Sequence, residues 1–267
     1  GINDFHGRIL PDAFSGYAGA ASLAGAVDAL EAEYPNSVFA AAGDLIGAST
    51  FESFIADDVP TVEALSAAGL DVSAVGNHEF DRGNTLLSEF SESLSFPLLS
   101  ANVKTTPEDD LFGKYLPFTI KLYDEQPVAI VGLTTTFTSI ISSPSENTRF
   151  IDEIEAAKKV VKKLRLLGIN KIIFLTHVGL ELDQELAANV DGIDAIIGGH
   201  SNDFLGDHTK IGLGDQGPSP IMVTSPSGDP VCIMQSGEQS LALGVTNIDF
   251  DEYGVIESCN ANNVFLV

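Results

Sequence analysis

Three short runs, VAIVGL (Val128–Leu133), IIFL (Ile172–Leu175) and AIIG (Ala195–Gly198), contain no polar side chain. A strand with one face in water alternates apolar and polar residues, whereas a strand covered on both faces does not. These runs therefore read as inner strands of a largely parallel sheet, which needs helical crossovers. Helical spacing is present where it is needed, over roughly 151–167 and 183–190, and also over 17–34, 62–68 and 85–93. Further strands are expected at 37–42, 72–75, 97–100, 118–122, 221–224, 231–235 and 244–250. The fold class is α/β. The later part turns strand-rich and suggests a second, partly antiparallel sheet. Segment 202–219, rich in Gly, Asp and Ser, reads as a long loop, and no linker divides residues 1–267, which read as one domain.

Charge narrows the partners. Thirteen Lys+Arg stand against 38 Asp+Glu, a formal −25, which repels nucleic acid and anionic membranes. A small anionic substrate can bind only where metal ions or local arginines reverse that field. Most of the acidity is ascribed to solubility in a salty or extracellular setting. No apolar run approaches the ~20 residues of a membrane helix, so a soluble globular protein with no membrane span is expected. Cys232 and Cys259 belong to no CxxC or Cys/His cluster, which leaves a disulfide between them open. The chain starts at Gly1 with no signal-peptide pattern, as expected if a leader was removed or the sequence trimmed.

The placement of histidine says more than its number. His6 (NDFHG), His78 (GNHEFD), His177 (THVG) and His200 (GGHSN) each lie just beyond an apolar run, and only His208 does not. Asp4, Asp44 (GDLIG) and Asn77 share that placement. Each alone is an ordinary cap or turn. In open α/β sheets, however, ligands bind at the carboxyl ends of strands, and together these loops aim seven N and O ligands at one crevice. Imidazole, carboxylate and amide oxygen without thiolate suit Zn, Mn, Fe or Co. The set exceeds the ~4–6 ligands of one ion. A carboxylate, with Asp44 the natural bridge, can join two ions ~3.5–4 Å apart for in-line displacement at phosphorus.

In order along the chain, D-x-H, G-D, G-N-H-E, a lone H and G-H-x-N resemble the calcineurin-like metallophosphoesterase superfamily. NDFHGR, GDLIGAS, GNHEFDRG, LLSANV, VGLTT, THVGLELD, GGHSN and QSGEQSLALGVTNIDFD resemble its 5'-nucleotidase branch, from about Asn3 to Phe250. That resemblance implies a four-layer αββα sandwich of two facing mixed β-sheets, with the metal site at the strand carboxyl ends. It implies one metal held by Asp4, His6, Asp44 and Asn202, and another by Asp44, Asn77, His177 and His200. His78 and Asp81 become the catalytic pair, with a metal-activated water attacking phosphorus. Glu79 is read as structural, and Arg82 as either a substrate contact or a solvent-facing or salt-bridged residue. The implied substrates are nucleotides or other small phosphoesters, 2',3'-cyclic diesters and nucleotide-sugar pyrophosphates among them. A thiosulfohydrolase-like enzyme and a non-catalytic metal-binding scaffold are the alternatives. The family's C-terminal substrate-binding domain is not found in these residues, and a periplasmic or extracellular location is implied.

Overall fold

The computed structural model of the chain describes residues 1–266. The three apolar runs all become inner strands of the larger of the two principal sheets. Strands β1 (Ala40–Ala41), β2 (Val72–Ala74) and β3 (Leu98–Leu99) pair in parallel. A short ladder joins β4 (Val103–Thr105) to β7 (Thr148–Phe150). The larger sheet runs β12 (Ile221–Thr224), β13 (Pro230–Met234), β9 (Ala195–Gly198), β8 (Ile172–His177), β6 (Gln126–Thr134) and β5 (Phe118–Tyr123). Its four inner strands are all parallel. Its edges, β5 and β12, are antiparallel. This is the mixed sheet expected. The chain start lies beside the first sheet. Ile2 bridges Ala41 in parallel, while Gly1 and Gly244 exchange backbone hydrogen bonds, as opposed antiparallel residues do.

Three apolar clusters separate the layers. Helices α1 (Gly19–Glu33), α3 (Val59–Ala67) and α4 (Gly83–Ser93) bury Leu23, Val27, Leu65 and Leu87 with Ala41, Val75 and Leu98 of the first sheet. Ala40, Val72, Ala74 and Leu99 meet Ile130 and Leu175 between the sheets. Helices α6 (Glu153–Leu166) and α7 (Leu180–Asn189) cover the larger sheet, with Val160, Leu164 and Leu186 against Phe174 and Ile196. Helix α6 is written plainly in its own sequence. Asp152 caps it by accepting the Glu155 N–H at 2.9 Å, acids fill its first turn, and Lys163 and Arg165 its last. Short helices α2 (Phe51–Phe54) and α5 (Thr138–Ile141) lie in connections.

Two expectations are corrected here. Segment 202–219 is not one long loop. It holds the small hairpin β10 (Asp207–His208) and β11 (Gly214–Asp215), anchored by buried His208 stacked on Phe204 at 4.1 Å between ring centroids. The chain also carries five strands that the pattern did not indicate: the short β4, β7, β10 and β11, and a long one near the C-terminal end. β14 (Ala242–Phe250) pairs antiparallel with β15 (Ile256–Phe265). The sequence of β15, IESCNANNVF, is poor in strand formers, so its existence rests on the ladder with β14 rather than on propensity. The open question on cysteine resolves as a disulfide, Cys232–Cys259, which ties β13 to β15.

Candidate metal centre

The carboxyl ends of both sheets face one crevice, and the loops that leave them are bent sharply. Asp4, His6, Asp44, His200 and Asn202 all have left-handed backbone, with φ between 49° and 79°. Non-glycine residues reach that region at a cost of about 1–3 kcal/mol each, and such residues gather at functional sites. Two glycines make the turns fit. A Cβ on Gly43 would lie 2.9 Å from His177 Nδ1, and one on Gly76 would lie 2.1 Å from Asp44 Oδ1.

Hydrogen bonds fix which atoms face inward. His177 Nδ1 lies 2.8 Å from the Ala42 carbonyl, which can only accept, so Nδ1 carries the proton and Nε2 faces the crevice. There Nε2 meets Asp44 Oδ2 at 2.9 Å, Asn77 Oδ1 at 3.1 Å and Asp4 Oδ1 at 3.9 Å. His6 repeats the device, with Nδ1 on the Gly47 carbonyl at 2.8 Å and Nε2 at 3.9 Å from both Asp4 Oδ1 and Asp44 Oδ2. The backbone N–H of His200 donates to Asp4 Oδ2 at 3.0 Å, and its ring lies 5.1 Å from that of His177. Asn3 donates to the same Asp4 oxygen at 2.8 Å.

This donor set fits divalent cations. Asp4, Asp44 and His177, all buried, offer ligand atoms within 4.8 Å of one another. Among the described residues their electron pairs converge with only imidazoles, and no Lys or Arg, paired to them. The titration behaviour expresses the same demand for positive charge. Burial works against charge on His177, but Asp44 and Asp4 outweigh it and push the imidazole up to about 10. Burial works against Asp44 too, yet His177 and His6 hold it down at about 2. For Asp4, burial prevails and raises the carboxyl, helped by the charge on Asp44.

His78 stands beside this group, its ring 5.1 Å from that of His6 and its backbone N–H donating to Asp44 Oδ1 at 2.9 Å. Asp81 Oδ2 lies 2.6 Å from Nδ1. Burial opposes a charge on this imidazole, but Asp44 and Asp81 outweigh it and raise its pKa. Glu79, read as structural, ties the two loops together by accepting the N–H groups of Gly76, Asp44, Leu45 and Ile46 at 2.6–3.4 Å. Burial and the Asp44 charge push it up to about 7 against the pull of those amides. Arg82 resolves as the salt-bridged alternative, paired with Asp57 and lying over Phe54.

The structure thus brings Asp4, His6, Asp44, Asn77, His78, His177 and His200 into one cluster linked pair by pair, with Asp81 behind His78. Asn202 sits on the exposed rim two residues beyond His200, its amide held by Glu238. Sequence reasoning missed Asn3, Glu238 and the reach of Glu79, because their partners lie on distant loops. A cavity of about 990 Å³ lies elsewhere, between Ser37–Phe39 and Val245–Phe250, and none of these side chains lines it.

Residues 1–203 match the calcineurin-like phosphoesterase family. The whole chain is 34% identical to a probable 5'-nucleotidase of Treponema pallidum (strain Nichols), covering 47% of it. Over 99% of its length it resembles the solved 5'-nucleotidase precursor of Thermus thermophilus, at TM-score 0.90, 30% identity and 53% of that chain. The NAD nucleotidase of Haemophilus influenzae matches at TM-score 0.92 and 29% identity, over 99% of this chain and 49% of that one. The chain spans about half the length of these three relatives. With its crevice of buried aspartates and histidines at the strand ends, this chain belongs to the calcineurin-like metallophosphoesterases and matches the N-terminal half of 5'-nucleotidases.

Proposed function

We propose that this domain hydrolyses phosphoester bonds of nucleotides or related small phosphoesters with two divalent metal ions, drawn from Zn, Mn, Co and Fe. The observation that carries the reading is the convergence of Asp4, Asp44 and His177 within 4.8 Å, with the His78–Asp81 pair beside it. Asp4, His6, Asp44 and Asn202 would hold one ion; Asp44, Asn77, His177 and His200 would hold the other, with Asp44 shared. When bound, the ions neutralise the phosphoryl group's charge and lower the pKa of water. The order helix, sheet, sheet, helix supports the αββα reading of the fold.

The chain's own residues supply the rest. Asp81 accepts the Nδ1 proton of His78 and holds the ring in place. That leaves Nε2–H free to donate to a phosphoryl oxygen or to the departing alkoxide. The raised pKa of His78 favours the doubly protonated ring that this donation needs. The disulfide supports an oxidising location, periplasmic or extracellular. Likeness to an NAD nucleotidase brings pyrophosphate substrates into the set to be tested.

The test uses metal-stripped protein re-supplied with Zn, Mn or Co. Substrates are 5'-AMP, 2',3'-cyclic AMP, UDP-glucose, bis-p-nitrophenyl phosphate and p-nitrophenyl phosphate. Metal-dependent turnover is expected, falling roughly 10²–10⁴-fold in His78→Ala with both metal equivalents retained. Two bound metals with no turnover on any ester would leave a scaffold instead.

A further inference from the structure

We infer that Glu238 is a positioning residue for the amide of Asn202; the inference rests on the reading of Asn202 as a metal ligand. An asparagine amide presents an acceptor on one side and a donor on the other, and only the acceptor can meet a cation. Which side faces the crevice is therefore a requirement of the site. A neighbour that can only accept settles it.

Glu238 is that neighbour. Asn202 Nδ2 donates to Glu238 Oε2 at 3.2 Å. A carboxylate has only acceptors to offer, so the nitrogen is committed to Glu238 and Oδ1 is left as the free face of the amide. Asn202 itself sits in left-handed backbone at φ 58°, so the turn that presents it is constrained from the chain side as well.

Glu238 is in turn held by a network with each direction assigned. Arg8, which can only donate, reaches Gln239 Oε1 through Nε at 3.0 Å and Nη2 at 2.6 Å. That turns the Gln239 amide nitrogen toward Glu238 Oε2, at 3.3 Å. The Tyr17 hydroxyl donates to the other oxygen, Oε1, at 3.3 Å, and the Arg8 guanidinium lies 4.8 Å over the Tyr17 ring. The turn carrying Glu238 is tied to the crevice itself: Gln239 N–H donates to the Asp4 carbonyl at 2.7 Å, and Gly237 N–H donates to the Asp203 carbonyl at 3.0 Å. Gln239 and Ser240 are left-handed, as the ligand loops are. Glu238 thus bridges the loop of Asp4 and the loop of Asn202, two loops that must keep register for one ion.

Calorimetric titration of metal-stripped protein with Mn²⁺ tests this, with melting temperature as a check that each variant is folded. Asn202→Ala and Glu238→Ala are each expected to weaken one of the two equivalents about tenfold or more, leaving the other within about twofold. The double substitution should be no worse than the poorer single one. Glu238→Gln loses the charge but keeps a carbonyl acceptor, so it should stay within about threefold of the parent. A simple field effect would instead make Glu238→Gln and Glu238→Ala alike and weaken both equivalents, which would overturn the proposal. Unchanged binding in Glu238→Ala beside a loss in Asn202→Ala would also overturn it, while keeping Asn202 as a ligand. Unchanged binding in Asn202→Ala would remove the ligand reading and this proposal with it.

Discussion

Two fully buried aspartates lie on opposite sides of the β8 and β9 strand ends, and their surroundings differ in one respect. In the crevice, Asp44 has an imidazole at 2.9 Å and a backbone N–H at 2.9 Å. On the helix side, Asp183 in the first turn of α7 has the Thr176 hydroxyl beside it but, among the described residues, no well-formed hydrogen bond to either oxygen. Asp44 is held at about 2, while burial pushes Asp183 up to about 8. Burial alone therefore does not decide charge: the partner does. The crevice is built to hold charge and the helix side to exclude it, across a wall one strand thick. A helix N-terminus normally favours an acid's charge, yet here desolvation outweighs that help.

The comparison breaks most visibly if the charge in the crevice is removed. Asp44→Asn keeps the shape but deletes the carboxylate that both proposed ions would share. The expected fall in kcat/KM is at least ~10³-fold, about 4 kcal/mol of transition-state stabilisation at about 1.36 kcal/mol per decade. Metal analysis of the purified variant should show both equivalents depleted. Two retained ions and activity within about tenfold of the parent would mean that Asp44 is no more committed to charge than Asp183.

The wall itself offers a smaller test. A Cβ on Gly198 in β9 would lie 2.2 Å from Asp183 Oδ2 and 3.1 Å from Gln235 Nε2. Gly198→Ala is therefore expected to cost about 1–3 kcal/mol in denaturant unfolding, as overpacked cores do. Asp183→Ala makes room for the added methyl, so the double substitution should cost less than the sum of the singles. Strict additivity would show that the two residues do not press on one another.

These two regions were unequally legible. Asp44, His177 and His200 could be picked out because each interrupts an apolar run at its carboxyl end, a contrast written in adjacent letters. The core strands were legible for the same reason, and α6 carried its own cap and charge pattern. Asp183 carried no such mark, since an acid in the first turn of an acidic helix reads as solvated. Its burial follows from the packing of α7 over Gly198, which no local pattern encodes. Glu79 drew attention only as a neighbour of His78, because its partners Asp44 to Ile46 lie more than thirty positions away. Strand β15 and the Cys232–Cys259 bond are likewise facts of long-range pairing.

The test that most sharpens the comparison is pH-dependent. Asp183 has a folded-state pKa of about 8 against an ordinary value of 3.8. Above pH 4 the unfolded chain releases a proton that the folded protein keeps, so unfolding binds fewer protons and stability falls as pH rises. The decline begins near pH 4 and ends near pH 8, where the buried group finally ionises. Asp183→Asn is nearly isosteric with the neutral acid and has nothing to titrate. At pH 4–5 its stability should match the parent within about 1 kcal/mol, as for other volume-conserving exchanges. Between pH 5 and 8 the parent should lose stability relative to Asp183→Asn. Urea unfolding at unit pH intervals, on metal-stripped protein so that ligand release does not add its own slope, reads this difference directly. Parallel curves for the two proteins would mean that Asp183 is charged in the fold after all, with a hidden partner that makes it a second Asp44.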